Sequence, residues 1–314
     1  LSASIVGALP AAALAQNYPD KPIRLVVPYP PGGSSDVLGR LVAQKMSESM
    51  GQNVLVDNRA GASGNIGTDF VAKAAPDGYT FLLGTDATHG TNMHLAKNPA
   101  FDPVRDFTPI TAGVANIMAL AAHPSVPATN VRELIDYAKK NPGKLAYGSS
   151  GTGSPHHLAG VLLNQLAGID LVHVAYKGGG PAVQDALGGQ IQLVVASVVG
   201  IMPHQKSGRL RVLGVIENTR YAGMPDVPTI GETLPGFALA SWLGFFAPAK
   251  LPAPILTRLN TEIVRALNQP DVRAKLEASG LPVIGNSPAE FAAQVKAEVE
   301  SRGRLLKSAG VQAE

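Results

Sequence analysis

At 314 residues, with 45% hydrophobic and 16% charged side chains, the chain has material for two ordinary cores and is too apolar to stay unfolded. Its net charge of +3 is not gathered into Lys/Arg blocks and only 5% of residues are aromatic, which argues against nucleic acid as a partner. The absence of cysteine excludes thiol catalysis and thiolate metal sites.

Residues 1–15 carry no charge, end in Ala13-Leu14-Ala15 and give way to the polar run Gln16-Asn17-Tyr18-Pro19-Asp20-Lys21. A short apolar run closed by an A-x-A site predicts the remains of a secretory signal peptide, and with it a periplasmic destination. No later segment has the ~18 uninterrupted apolar residues of a membrane span.

From Pro22 onward, β-branched runs alternate with helical patterns. Residues 23–27 read as a buried strand. Ser34-Ser35-Asp36 then caps a helix with Leu38, Leu41, Val42 and Met46 on one face, ending at Gly51. A strand at 54–56, a Gly-rich loop, a helix with Ile66, Phe70 and Ala74 inward and a strand at 79–83 complete a β-α-β-α-β block. That order predicts a parallel sheet with helices on both faces. A second block follows. Asn130 and Glu133 open a helix as a capping pair; strands at 145–147, 171–174, 191–196 and 210–216 enclose helices at 155–167 and 181–187. A strand at 237–246 and helices starting near Pro252, Pro270 and Pro288 finish the chain. Those last helices have no strands of their own, so they are expected to return to the first sheet. This predicts a discontinuous first domain, 16–115 plus 240–314, a second domain at 116–239, and crossings near 111–122 and 237–246.

Ligands of open parallel sheets bind beyond the C-terminal strand ends. Four loops there are rich in Gly, Ser or Thr and lead into helix N-termini. They are Pro30-Pro31-Gly32-Gly33-Ser34-Ser35-Asp36, residues 59–65, Ser149-Ser150-Gly151-Thr152-Gly153-Ser154-Pro155 and Tyr176-Lys177-Gly178-Gly179-Gly180-Pro181. Pro155 and Pro181 suit first helical positions. Free N–H groups and the positive helix end make such a loop an anion site. One such loop is an ordinary turn; four, two in each block, predict an anion site between the blocks. Arg59 and Lys177 are their only cations, which favours a carboxylate held by neutral donors over a polyphosphate. No nucleotide cofactor is expected: His156 takes the third glycine's place in G-x-G-x-x-G, and no P-loop occurs. Nor is a metal, since adjacent His156 and His157 point about 100° apart on a helix. Residues 148–152 fail the G-x-S-x-G elbow at Thr152. Further ligand candidates are Tyr29, Thr85, Asp86, His89, His157, Ser197 and Trp242; for His89, His157 and Trp242 a packing role is the competing reading. Asp36 and Asp86 are placed to orient donors.

Residues 18–24 (YPDKPIR) followed by 27–33 (VPYPPGG) resemble the opening of the tripartite tricarboxylate transporter receptors, the Bug or TctC family. The likeness continues in order through 57–67, 76–80, 101–107, 147–154 and 174–182. It implies a type II periplasmic binding protein fold, two α/β domains hinged around a cleft, binding small carboxylates or some aromatic acids. It also implies that the loops at 29–35 and 149–154 grip one carboxylate. Ala60 stands where the family often has Pro, and residues 85–89 replace a run of serines, so ligand identity does not carry over. Three functions stay open: a monomeric receptor serving membrane transporter subunits, a receptor read by a sensor kinase, and a periplasmic enzyme using His157 or His89 as base.

Overall fold

A computed structural model describes residues 18–237 and 239–308; the signal-peptide segment lies outside them. Two five-stranded sheets organise the chain. In the first, β1 (Ile23–Val27) lies between β2 (Val54–Asn58) and β3 (Thr80–Thr85), all parallel. The late strand β10 (Trp242–Pro248) runs antiparallel between β3 and β4 (Phe107–Ala115). The second sheet has the order β7 (Val172–Ala175), β6 (Ala146–Ser149), β8 (Leu193–Ser197), β5 (Met118–Ala122), β9 (Arg211–Val215). Both sheets are therefore mixed rather than parallel: each admits one strand from a crossing of the chain, β10 in one and β5 in the other. Because β8 and β9 are both antiparallel to β5, they run in the same direction.

The helices follow the predicted alternation. α1 (Ser34–Met50) presents Leu38, Val42 and Met46, all fully buried, to the first sheet, each contributing roughly 1.5–3 kcal/mol. It stops at Gly51, whose φ of +68° suits a residue without Cβ. α2 (Asn65–Ala72) turns Gly67, Thr68 and Val71 inward; Ile66 is exposed and Phe70 lies half-buried under the Arg59 guanidinium at 3.7 Å. The inward face expected from Ile66, Phe70 and Ala74 is thus rotated. The cause is close packing: a Cβ on Gly67 would come within 2.7 Å of the Arg59 carbonyl. In the second half stand α3 (Val131–Lys140), α4 (Pro155–Ala167), α5 (Gly179–Leu187), α6 (Val198–Lys206) and α7 (Ile230–Thr233). α5 starts two residues before Pro181, which occupies its first turn, where a missing N–H costs nothing.

Of the closing helices, α8 (Ala253–Leu267) packs Ile255, Leu259 and Ile263 into the core of the first sheet, and α9 (Pro270–Ala278) adds Val272 and Leu276. α10 (Pro288–Ser308) begins there through Phe291 and Val295, yet Leu306 joins the core of the second sheet. It ties the two halves together. The crossings run side by side, with Asn116 Nδ2 donating to Ser241 Oγ at 3.2 Å. Among the described residues no helix is long and apolar enough to cross a membrane.

Candidate functional site

The loops after β2 and β3 meet the loop after β6, and Glu217, beyond β9, lies close enough to Asp86, after β3, to feel its charge. α1 opens at Gly33 with no side-chain cap, and nothing lies within 4 Å of where a Cβ on Gly32 or Gly33 would stand. Asp36 secures this loop from beneath. It accepts from the Gly32 N–H at 3.0 Å, Arg40 Nε at 3.0 Å and Asn58 Nδ2 at 3.1 Å. Burial pushes its carboxyl up, but those donors outweigh it and hold the group below the usual carboxylate range. α5 opens at Gly178 and α6 at Ser197, likewise without a side-chain cap. α6 gives its first N–H, that of Val198, to the Ile117 carbonyl at 2.9 Å; no side chain takes up the remaining N–H groups at these positive helix ends.

The 149–154 loop is held by a row of side chains. Ser154 caps α4, accepting from the His157 N–H at 3.2 Å, and the Gly153 N–H donates to His157 Nδ1 at 3.1 Å. His157 stacks on His173 at 4.0 Å, His173 Nε2 meets Ser149 Oγ at 2.7 Å, and Ser149 Oγ accepts from the Gly151 N–H at 3.1 Å. Ser150 pairs with His156 Nδ1 at 2.7 Å. Burial pushes the imidazoles of His156 and His173 down to about 4, so both are neutral near pH 7. Ser149 and His173 make the hydroxyl–imidazole contact of a hydrolase, but Ser149 is fully buried and its oxygen already serves Gly151.

This loop lies against the first half of the chain. A Cβ on Gly151 would stand 3.9 Å from Ser63 Oγ, and one on Gly153 would strike Leu95 and come within 3.8 Å of Thr91. Thr152 and Lys177 are exposed, and Ser34, Ser150, Ser154 and Ser197 half-buried. Tyr29 is half-buried, with its hydroxyl 3.0 Å from Thr85 Oγ1; burial raises that hydroxyl to about 12. Thr85 and Thr88 close a hydrogen-bonded turn behind it.

Two predicted contacts, His89 and Trp242, fall elsewhere, and two others, Tyr176 and His157, are engaged in the walls of the loops. His89 is fully buried in the first core, stacked on Phe246 at 3.7 Å and edge-on to Phe107 at 4.7 Å, so it cannot flank a ligand. Trp242 packs edge-on against Phe291 at 5.0 Å and donates Nε1–H to Glu298 at 2.7 Å; it too belongs to the core. The Tyr176 hydroxyl is committed to Asp185 at 2.7 Å, and its ring packs where a Cβ on Gly148 would be 3.1 Å away. His157 supports the loop through Gly153 and His173. In each case aromatic stacking or a local hydrogen bond claims the ring first. Asp86, by contrast, sits at the tip of β3, ion-paired with Arg302 at 3.6 Å and accepting from Ser241 Oγ at 3.1 Å.

Sequence reasoning missed His156, Thr91, Asn92 and Asn116. All are buried, and each keeps one polar atom without a partner: Nε2, Oγ1, Oδ1 and Oδ1. Asn92 also donates to the Ser63 carbonyl at 3.0 Å, joining the turn after β3 to the 61–65 loop. None of the four lies in a Gly-rich loop; only His156, beside the Ser154 cap, carried a local signal.

Residues 38–311 match the family model described as tripartite tricarboxylate transporter family receptor. A relative from Pseudomonas sp. (strain P51), a UPF0065 protein in the tcbD-tcbE intergenic region, is 38% identical over 291 residues, 92% of this chain and 86% of its own length. Among solved structures, R. palustris Rpa4515 with adipate is 36% identical, with a TM-score of 0.90, over 95% of this chain and 100% of that one. MatC (Rpa3494) from Rhodopseudomonas palustris with bound malate is 32% identical, with a TM-score of 0.85, over 92% and 100%.

Proposed function

The chain belongs to the tripartite tricarboxylate transporter receptor family, and from that premise we propose that it captures a small carboxylate in the periplasm for membrane transporter subunits. The observation that carries this reading is the set of open helix starts at Gly33, Gly178 and Ser197, gathered at the strand tips. Backbone donors that no side chain satisfies are suited to an anion, and neutral imidazoles beside them neither compete for it nor add charge. Carboxylate ligands named for two structural neighbours, adipate and malate, agree with this chemistry. On this reading the loops at 30–35, 149–154 and 176–180 hold the carboxylate. The halves 16–115 with 240–314 and 116–239 close on it as two lobes of a monomer, hinged at the paired crossings.

A thermal-shift screen of mono-, di- and tricarboxylates tests it. A ligand at a hundredfold excess over its dissociation constant is expected to add about 2.7 kcal/mol of stability. No shift with any acid across the panel would sink the reading. A pull-down with candidate transporter subunits and sensor kinases separates delivery from sensing.

A further inference from the structure

α10 enters both cores, through Phe291 and Val295 in the first half and Leu306 in the second. Near its end Arg302, 5% exposed, stands where the chain crosses between the halves. Its Nη2 donates to the Ala240 carbonyl at 2.6 Å and lies 3.6 Å from Asp86 Oδ2 and 4.0 Å from Glu298 Oε2. Asp86, at the tip of β3, accepts from Ser241 in one crossing, and Ser241 accepts from Asn116 in the other. α10 ties Arg302 to both cores, whereas Asp86 moves with the first sheet. Turning one half against the other therefore changes the gap between them.

That gap is not closed in the arrangement seen. Among the described residues Arg302 Nε has no hydrogen-bond partner, and neither have Asp86 Oδ2 and Glu298 Oε2. A buried donor and two buried acceptors thus sit unpaired in one cluster, and the 3.6 Å approach is about 0.8 Å longer than a charge-assisted hydrogen bond. Leaving them so is costly, and a small shift of α10 removes the cost. In this arrangement the walls touch, with Gly151 and Gly153 of the second half against Ser63 and Leu95 of the first. The arrangement in which the pair closes is therefore the other one, with the walls parted.

We propose that Arg302 and Asp86 form a latch at the hinge, which engages when the halves part and holds the unliganded protein open. This rests on the two-lobe reading above and adds what sets its resting position. The electrostatics make the latch sensitive to pH. Burial raises the Asp86 carboxyl to about 7, with Arg302 pulling it down and Glu298 pushing it up. Burial and the neighbouring Asp86 raise Glu217 to about 7 as well, opposed by Arg302, and burial raises Glu298. Asp86 carries its charge above pH 7 and loses it below, so alkaline pH engages the latch and acid releases it. Glu217 belongs to the second half, and its repulsion of ionised Asp86 acts in the same sense. His94 also packs on this stretch of α10, but it faces the backbone, with Nε2 2.8 Å from the Val299 carbonyl.

Small-angle scattering of the unliganded protein at pH 8.5 and 5.5 tests the latch. The wild-type radius of gyration should fall as the pH falls. Asp86→Asn, and independently Arg302→Gln, should show the smaller radius at both pH values, while His94→Gln keeps the wild-type response. The chain has no cysteine, so Lys73→Cys with Lys140→Cys, both exposed positions, gives one spin-label pair across the halves. Its distances should form two populations whose ratio changes about fivefold or more between the two pH values, and not at all in Asp86→Asn. A wild-type radius and label distance that ignore pH overturn the latch, and so does a pH response that survives in Asp86→Asn or vanishes in His94→Gln. If Arg302→Gln does not fold, Asp86→Asn and the wild-type pH series decide alone. No ligand is used, so the latch can fail while an acid in the thermal-shift screen keeps the carboxylate reading standing. A pH-dependent radius with no acid bound leaves the latch and sinks that reading.

Discussion

α3 and α10 begin with closed sets of hydrogen bonds. Asn130 accepts from the Glu133 N–H at 2.9 Å while Glu133 accepts from the Thr129 N–H at 2.7 Å, and Ser287 and Glu290 make a reciprocal pair. α8 and α9 carry prolines, Pro254 and Pro270, in their opening positions, which remove a donor instead of satisfying it. Along the cleft, α1, α5 and α6 begin on Gly33, Gly178 and Ser197 without side-chain caps, and between the sheets Asp86, Glu217, Glu298 and Arg302 each keep a buried polar atom without a partner among the described residues. Where a segment serves only the fold, its polar groups are closed locally. Where they are not, stability has been given up, each missing cap being worth about 1 kcal/mol. α4 is the exception on this side: it follows the 149–154 loop and is capped by Ser154.

The comparison breaks most visibly at Gly153. Its φ of +77° is strained for any residue with a Cβ, and that atom would meet Leu95 on the opposite wall. Gly153→Val is expected to weaken every ligand by about a hundredfold, roughly 2.7 kcal/mol, by propping the cleft open. Calorimetry should find part of the loss restored when Leu95→Ala is added. Full loss in both variants would mean that the wall contact is not what limits closure.

Next comes Glu217→Gln. A carboxyl whose folded value is raised from 4.5 to about 7 costs nothing below 4.5; its cost builds up between the two values, where the unfolded chain ionises and the folded group stays protonated, and is complete above 7. The amide should therefore stabilise the unliganded protein by about 1–3 kcal/mol at pH 8 and hardly at all at pH 4. Urea unfolding at the two pH values measures this; an equal effect at both would show that the group is not held neutral by its burial.

Gly33→Ala is expected to separate stability from function. With φ −86° and open space at the Cβ position, alanine fits. It should leave stability unchanged or raise it by about 0.4–1 kcal/mol. Affinity for all carboxylates should fall together, by about tenfold, because the methyl stands where the ligand approaches the backbone. A change in ranking alone would assign this loop to selectivity.

The smallest effect is expected at α3. Asn130→Ala should cost about 1 kcal/mol of stability in a urea melt and nothing in affinity. Any loss of binding there would show that the capped helices are not independent of the cleft.

How much of this was legible beforehand differs by kind of feature. The Asn130–Glu133 cap, the α1 face through Leu38, Val42 and Met46 and the open loops at Gly33 and Gly178 could all be read, because each is set by residues within a few positions. The strand order could not. β10 comes from some 160 residues beyond β3 and inserts beside it, a choice made by the packing of Phe245 and Phe246 against the first sheet. His89 and Trp242 looked like ligand contacts because they end strands or lie in a crossing. Their rings went instead to Phe246 and Phe291, where burying an aromatic face gains more than exposing it to a cleft.

The sequence by itself determined the alternating elements, the family and the loops that leave backbone donors free, since propensity, capping and glycine positions act over short range. Tertiary structure alone decided which rings turn into the cores, that His156, Thr91 and Asn116 are buried with a polar atom to spare, and that Asp86 and Glu217, 131 positions apart, feel each other's charge. Those facts depend on loops from two sheets meeting. Burial and charge at such a junction are properties of the assembled walls, and no local window of the chain contains both.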